Sequence, residues 1–171
     1  EFSSIDGKWI ATILWDQGKF YDHINIRKLI ERAEALGYPT TCLWLGLQMH
    51  MAPRLIKAKD AFAWAEAPHN GIIAGCTQSD TFARILLHSV MHERYYAPNP
   101  LGQDRLLRQF VDDIRQTHAG ANDATVCSSI VKEGVALAQA CLASGCIISP
   151  KTTIIANSDG LATSIARAMK L

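Results

Sequence analysis

Lys8 to Trp15 is a β-branched and aromatic apolar run that predicts a buried strand. From Asn25 to Leu36 the period lengthens to that of a helix. Ile26, Leu29, Ile30, Ala33 and Leu36 share one stripe, Gly37 stops it and Pro39 follows. Thr41 to Met51 predicts a second helix, and Arg54 to Ala58 with Phe62 to Ala65 a short strand pair. Gly71 to Gly75 is a glycine-punctuated loop. Thr77 to Tyr95 predicts a long helix carrying Phe82, Ile85, Leu86, Ser89 and Val90, and Pro98, Asn99, Pro100 and Gly102 break the chain. A hairpin follows, Arg105 to Phe110 and Ile114 to His118. Ala124 to Ser144 is an alanine-rich helix closed by Gly145. Short strands are expected at Cys146 to Ser149 and Thr153 to Ala156, on either side of Pro150-Lys151-Thr152. Asp159 is the expected cap of a final helix to Lys170. This order predicts an α+β fold, an antiparallel sheet packed on helices.

Acids interrupt this pattern where apolar residues are expected. Asp112 and Asp113 stand at the hairpin tip between Phe110-Val111 and Ile114, and Asp16 ends the first strand. Burying a carboxylate beside an apolar strand is costly unless something binds it. Strand-terminal acids converging on divalent metal are the arrangement of two-metal phosphoryl and nucleotidyl transfer. The structural alternatives are a solvated turn for the Asp pair and a helix N-cap for Asp16.

Bulk properties narrow the class. A chain of 171 residues, 49% apolar and 19% charged, has the length and composition of one globular domain. The net charge of +1 does not announce a nucleic-acid binder. Cys42, Cys76, Cys127, Cys141 and Cys146 are odd in number, with no CxxC spacing. That argues against zinc and for a reduced, intracellular setting. No signal peptide or membrane span is expected; Ala35 to Pro53 lacks charge but is interrupted by Pro39, Gln48 and His50. The opening Glu1-Phe2-Ser3-Ser4, so close to the first strand, suggests a piece of a longer chain. Among the histidines, His88 and His92 lack the intervening Glu of a zinc helix and are expected at the surface.

Four segments in order resemble the palm of a reverse transcriptase, nearest to the non-LTR retroelement and group II intron type. They are Asp16-Gln17-Gly18-Lys19-Phe20-Tyr21, the loop Gly71 to Ser79, Phe110-Val111-Asp112-Asp113, and Gly145 through Lys151-Thr152. The resemblance covers nearly the whole chain. It implies a right-hand polymerase palm with a ferredoxin-like core over residues 1–171. Part of the fingers would fall within 38–75, and the remaining fingers and the thumb would lie in flanking chain. The sequence departs from the family at Ile73-Ala74, where Pro-Gln is usual, and at Thr77, where proline is common.

The resemblance implies RNA-directed DNA polymerase activity, with Mg²⁺ or Mn²⁺, deoxynucleoside triphosphates and an RNA or DNA template–primer. Asp16 and Asp112 would be bridging metal ligands, with Asp113 a weaker ligand and the Gln17 backbone carbonyl a further oxygen. Tyr21 would lie under the incoming sugar and exclude a 2′-hydroxyl. Gly75 would let the backbone approach nucleotide or template, Ser79 would bond nucleic acid from the helix start, and Lys151 would serve the leaving pyrophosphate. Phe20 is expected in the core and Asp22 as a cap for the following helix. Arg54, Lys57 and Lys59 form a basic cluster suited to template phosphates. Two rivals stay open. One is a viral-type RNA-dependent RNA polymerase, which Asp16 and Asp22 would fit but Tyr21 and Val111 would not. The other is a degenerate, non-catalytic palm retained as a binding module.

Overall fold

The computed structural model describes residues 7–95 and 104–170. The breaker run from Pro98 to Gly102 and the opening tetrapeptide lie outside the described residues. Two compact units divide the chain: one contains residues up to Gly18 and from Leu87 onward, the other Lys19 to Leu86.

The first unit is built on a four-stranded antiparallel sheet. Its strands are β1 (Trp9–Trp15), β4 (Asp104–Phe110), β5 (Asp113–Gly120) and β6 (Thr153–Ala156), in the order β4-β5-β1-β6. β1 is an inner strand, in keeping with its largely apolar run. Ala11 and Ile13 are fully buried and Trp15 nearly so. Helices α5 (Asp123–Ala143) and α6 (Asp159–Met169) pack against this sheet and each other. By length and composition α5 would suffice to cross a membrane. One stripe of it, with Val126, Ile130, Leu137 and Cys141, is buried beside β1 and β5.

Gly134 sets how closely α5 approaches. A Cβ there would meet Trp15 Cζ2 at 3.2 Å and Gln116 Oε1 at 3.3 Å. Behind that contact runs a polar chain. Trp15 Nε1 donates to Gln116 Oε1 (3.2 Å), Gln116 Nε2 meets His118 Nε2 (3.2 Å), and His118 Nδ1 meets Ser129 Oγ (3.0 Å). Glu133 closes it with Arg105 (3.0 Å) and His118 (3.4 Å). Burial pushes the Glu133 carboxyl up, but the hydrogen bonds and charges of His118 and Arg105 outweigh it and hold it below the ordinary value.

The second unit holds α1 (Phe20–His23), α2 (Ile26–Ala35), α3 (Thr40–Met51), the two-stranded hairpin β2 (Arg54–Ala58) and β3 (Ala61–Ala65), and the start of α4 (Thr77–Tyr95). Phe82 is its central ring, fully buried and edge-on to Tyr38 and His50. Gly46 lets the α3 backbone pass: a Cβ there would overlap the Gln78 amide and come within 2.8 Å of the Phe82 ring.

His50 is fully buried, and its Nδ1 accepts from Ile73 N (2.9 Å). Burial first, and the Arg54 charge second, lower its pKa from 6.5. The unfolded chain therefore binds the proton at higher pH than the folded one. The resulting stability is complete above about pH 6.5 and is lost as the pH falls below it. Urea midpoints should fall between about pH 7.5 and pH 5.5, and His50→Gln should remove that part of the fall. Glu133 adds a loss only at lower pH, below about 4.5.

Three local expectations need correction. Cys146 to Ser149 is not a strand. It forms one isolated bridge, Ile148 to Gln17, because Pro150 and the turn at Lys151 end the pairing at once. Asp159 lies inside α6, whose cap is Ser158, accepting from Leu161 N. Asp22 lies within α1, and the cap of α2 is Asn25, accepting from Lys28 N.

Candidate active site

The acids reach one place because β1 and β5 are adjacent and in register. Trp15 pairs with Ile114, so Asp16 and Asp113 follow on the same side of the sheet. Both line a cavity of about 530 Å³ whose other walls include Leu14, Phe110, Arg108, Arg115 and Lys151. Asp112 sits in the two-residue turn between Phe110 and Asp113, which pair across it. Val111, the other turn residue, has φ of 57°. A β-branched side chain rarely adopts that conformation, and such strain collects at working sites. Gln109 Nε2 braces the turn by donating to Val111 O (2.7 Å).

Gln17 ties the two acid-bearing segments together. Its side chain is buried, and Nε2 donates to Asp112 O (3.0 Å). Its Oε1 is buried with no protein partner among the described residues. The Ile148 bridge uses Asp16 O and Gly18 N, leaving the Gln17 carbonyl outside that ladder. The sequence reading gave Gln17 only a backbone role; nothing in a single glutamine distinguishes a brace from a surface amide. Asp16 is held by its backbone: its N–H donates to Thr152 Oγ1 (3.3 Å) and its carbonyl accepts from Ser149 N (2.8 Å), so its carboxylate is not needed to fix the strand end.

Of the basic lining, Lys151 was expected at the site and the two arginines were not. Arg108 and Arg115 are direct cross-strand partners, and Lys151 borders the same cavity. Lys151 is exposed, its turn fixed by Lys151 N donating to Ser149 Oγ (3.1 Å).

Among the described residues no three or more His, Cys, Asp or Glu side chains gather as a group that could hold a metal ion, and Asp112 is not among the residues lining the cavity. Two carboxylates at an open cavity suit Mg²⁺. Mg²⁺ keeps waters and is held by one or two carboxylates plus substrate phosphates.

Tyr21, Gly75 and Ser79 belong to the second unit. Within it, the glycine loop lies along the residues after Gly18: Gly71 N donates to Ile24 O and Ile72 N to Tyr21 O, both 2.8 Å. Gly71 is at φ +84°, and a Cβ there would meet Asp22 O at 2.9 Å and Tyr21 O at 3.0 Å. Gly75, at φ +81°, has open space where its Cβ would be, which suits an approaching ligand. Ser79 does not present its hydroxyl outward. It is fully buried and donates to Ile73 O, so it shapes the loop. Phe20 is buried as expected, with Tyr21 half-exposed and edge-on to it. His88 and His92 are exposed, stacked on each other.

Two solved structures share this architecture. One is telomerase from Candida tropicalis in complex with a TWJ fragment of telomeric RNA. It aligns at a TM-score of 0.64 and 17% identity, over 89% of this chain and 26% of that one. The other is apo telomerase from the same organism, truncated from its C-terminal domain, at 0.63 and 18%, over 89% and 31%. At this identity the likeness is one of fold, an antiparallel sheet packed on helices. The chain spans about a quarter to a third of the length of these neighbours. No family model and no curated protein sequence matches it.

Proposed function

We propose that this chain is the catalytic palm of an RNA-directed DNA polymerase, with Asp16 and Asp113 supplying metal ligands at the cavity and Asp112 beside them in the turn. The observation that carries the reading is the cavity itself. Two carboxylates and three cations, Arg108, Arg115 and Lys151, line one open space at the strand ends. Carboxylates alone would fit any cation, and cations alone any anion. The combination fits a metal-bound polyphosphate. The telomerase neighbours support a nucleic-acid partner and nucleotidyl transfer as the class of chemistry.

Mg²⁺ held there would activate the attacking hydroxyl and neutralise the leaving oxygen. The remaining work falls to the chain. Gln17 holds the Asp112 turn against the end of β1. Arg108 and Arg115 attract and orient the phosphates, and Lys151 stabilises the departing charge. Gly75 gives the backbone access to the base pair. The test is primer extension on RNA and DNA templates with Mg²⁺, in a polypeptide that also supplies fingers and thumb. Positioning provides much of the rate, so this chain alone should extend a primer very slowly.

Tyr21 is the sugar gate in this reading. Tyr21→Ala should raise ribonucleotide incorporation relative to deoxynucleotide, because the vacated volume admits a 2′-hydroxyl. Paired single-nucleotide extensions measure the ratio; an unchanged ratio would reduce Tyr21 to packing on Phe20.

A further inference from the structure

We propose that the β2–β3 hairpin is a stacking platform for single-stranded nucleic acid, a reading that rests on the polymerase assignment for its biological setting but not for its physics. Every residue of β2 is exposed, and β3 is nearly as open. Leu55 pairs with Trp64 and Lys57 with Phe62, so these four side chains share one face. Trp64 is 75% exposed and Phe62 61%. A two-stranded hairpin so open is marginal in water, and large rings on its surface mark a contact site.

The chemistry of this face selects the occupant. Phe62 and Trp64 stand two residues apart on one strand, roughly 6.6 Å, a spacing that lets two successive splayed bases each find a ring. Lys57 Nζ lies over the Phe62 ring, 5.5 Å from its centroid, so a cation stands within the stacking surface itself. Lys59 stands at the turn and Arg54 at the base; Asp60 is the one acid within the hairpin. Lysine is depleted at protein–protein interfaces, whereas cations interleaved with aromatic rings suit single strands: phosphates meet the ammonium groups and bases the rings. The aromatic side chains turn a basic cluster suited only to phosphates into one that also grips bases.

The test is fluorescence anisotropy of a labelled single-stranded oligouridylate of about 12 nucleotides, titrated with the purified chain in EDTA. Chelation removes any metal-dependent contribution from the carboxylate cavity, so failure here and failure of the polymerase reading are separate results. Phe62→Ala with Trp64→Ala should weaken binding at least tenfold, while Phe62→Tyr with Trp64→Phe retains it. Lys57→Ala should reduce the slope of log affinity against log salt by roughly 0.7. The sites are exposed, so unchanged circular dichroism is expected and confirms the fold. Equal affinity of the double alanine variant and the wild type would overturn the proposal. So would unchanged RNA affinity accompanied by loss of self-association, which would make the face a protein-docking surface.

Discussion

Asp16→Asn should abolish nucleotidyl transfer. The amide keeps the shape of the side chain but loses the charge a hard cation requires. Metal charge stabilisation contributes several kcal/mol to such transition states. At tenfold per 1.4 kcal/mol, the expected loss is on the order of a thousandfold or more in kcat. The fold should survive, because Asp16 is fixed through its backbone N and O to Thr152 and Ser149. Primer extension with Mg²⁺, in a polypeptide carrying fingers and thumb, checks the rate, and circular dichroism checks the fold. Deoxynucleotide and ribonucleotide incorporation should fall together, unlike the change in ratio expected for Tyr21→Ala. Activity within tenfold of wild type would remove Asp16 from the reaction.

Trp15→Ala should cost most of the stability of the unit built on the four-stranded sheet. Trp15 is 2% exposed and faces α5 at Gly134, where the approach leaves no room for even a methyl group to spare. Emptying such a site costs about 3–5 kcal/mol. Gln116 Oε1 also loses its indole donor inside a buried network, adding roughly 1–3 kcal/mol. Against a total of about 5–15 kcal/mol, that leaves little folded protein at ordinary temperature. Trp15→Phe retains the ring volume and should lose mainly the hydrogen bond. Urea denaturation of the two variants separates packing from polarity. A cost below about 1 kcal/mol for the alanine variant would mean that this ring is not central to the core.

Much of this architecture was legible because the chain's periods are clean. β1 is apolar but for Thr12 and became a central strand; the α2 stripe with Gly37 after it became a helix of nearly the expected bounds. The α+β layering followed from element order and stands. Failures came where chemistry is local. Ser158 and Asn25 took the capping roles because the cap must lie one residue outside the helix, and several polar residues compete for that place. The Cys146 to Ser149 run reads as a strand but has room for one bridge before Pro150.

The candidate site was legible in its acids and not in its supports. An Asp pair at an apolar hairpin tip is visible in one dimension. The opposition of Arg108 and Arg115 exists only once the β4–β5 register is set. The Gln17 bond to Asp112 joins segments far apart in sequence. His50 and His118 look like ordinary polar residues in the chain, yet both are buried hydrogen-bonding centres. Ser79 was expected to face nucleic acid, but its hydroxyl folds inward to Ile73 O.

The most direct test of the palm assignment is a crystal of the chain with Mn²⁺ and a non-hydrolysable deoxynucleoside triphosphate, read by anomalous scattering. The account predicts a manganese peak coordinated by the carboxylate of Asp16 and by one from the Asp112-Asp113 pair, with the triphosphate directed toward Arg108, Arg115 and Lys151. Manganese bound elsewhere, or a triphosphate seated away from these carboxylates at saturating concentration, would contradict it.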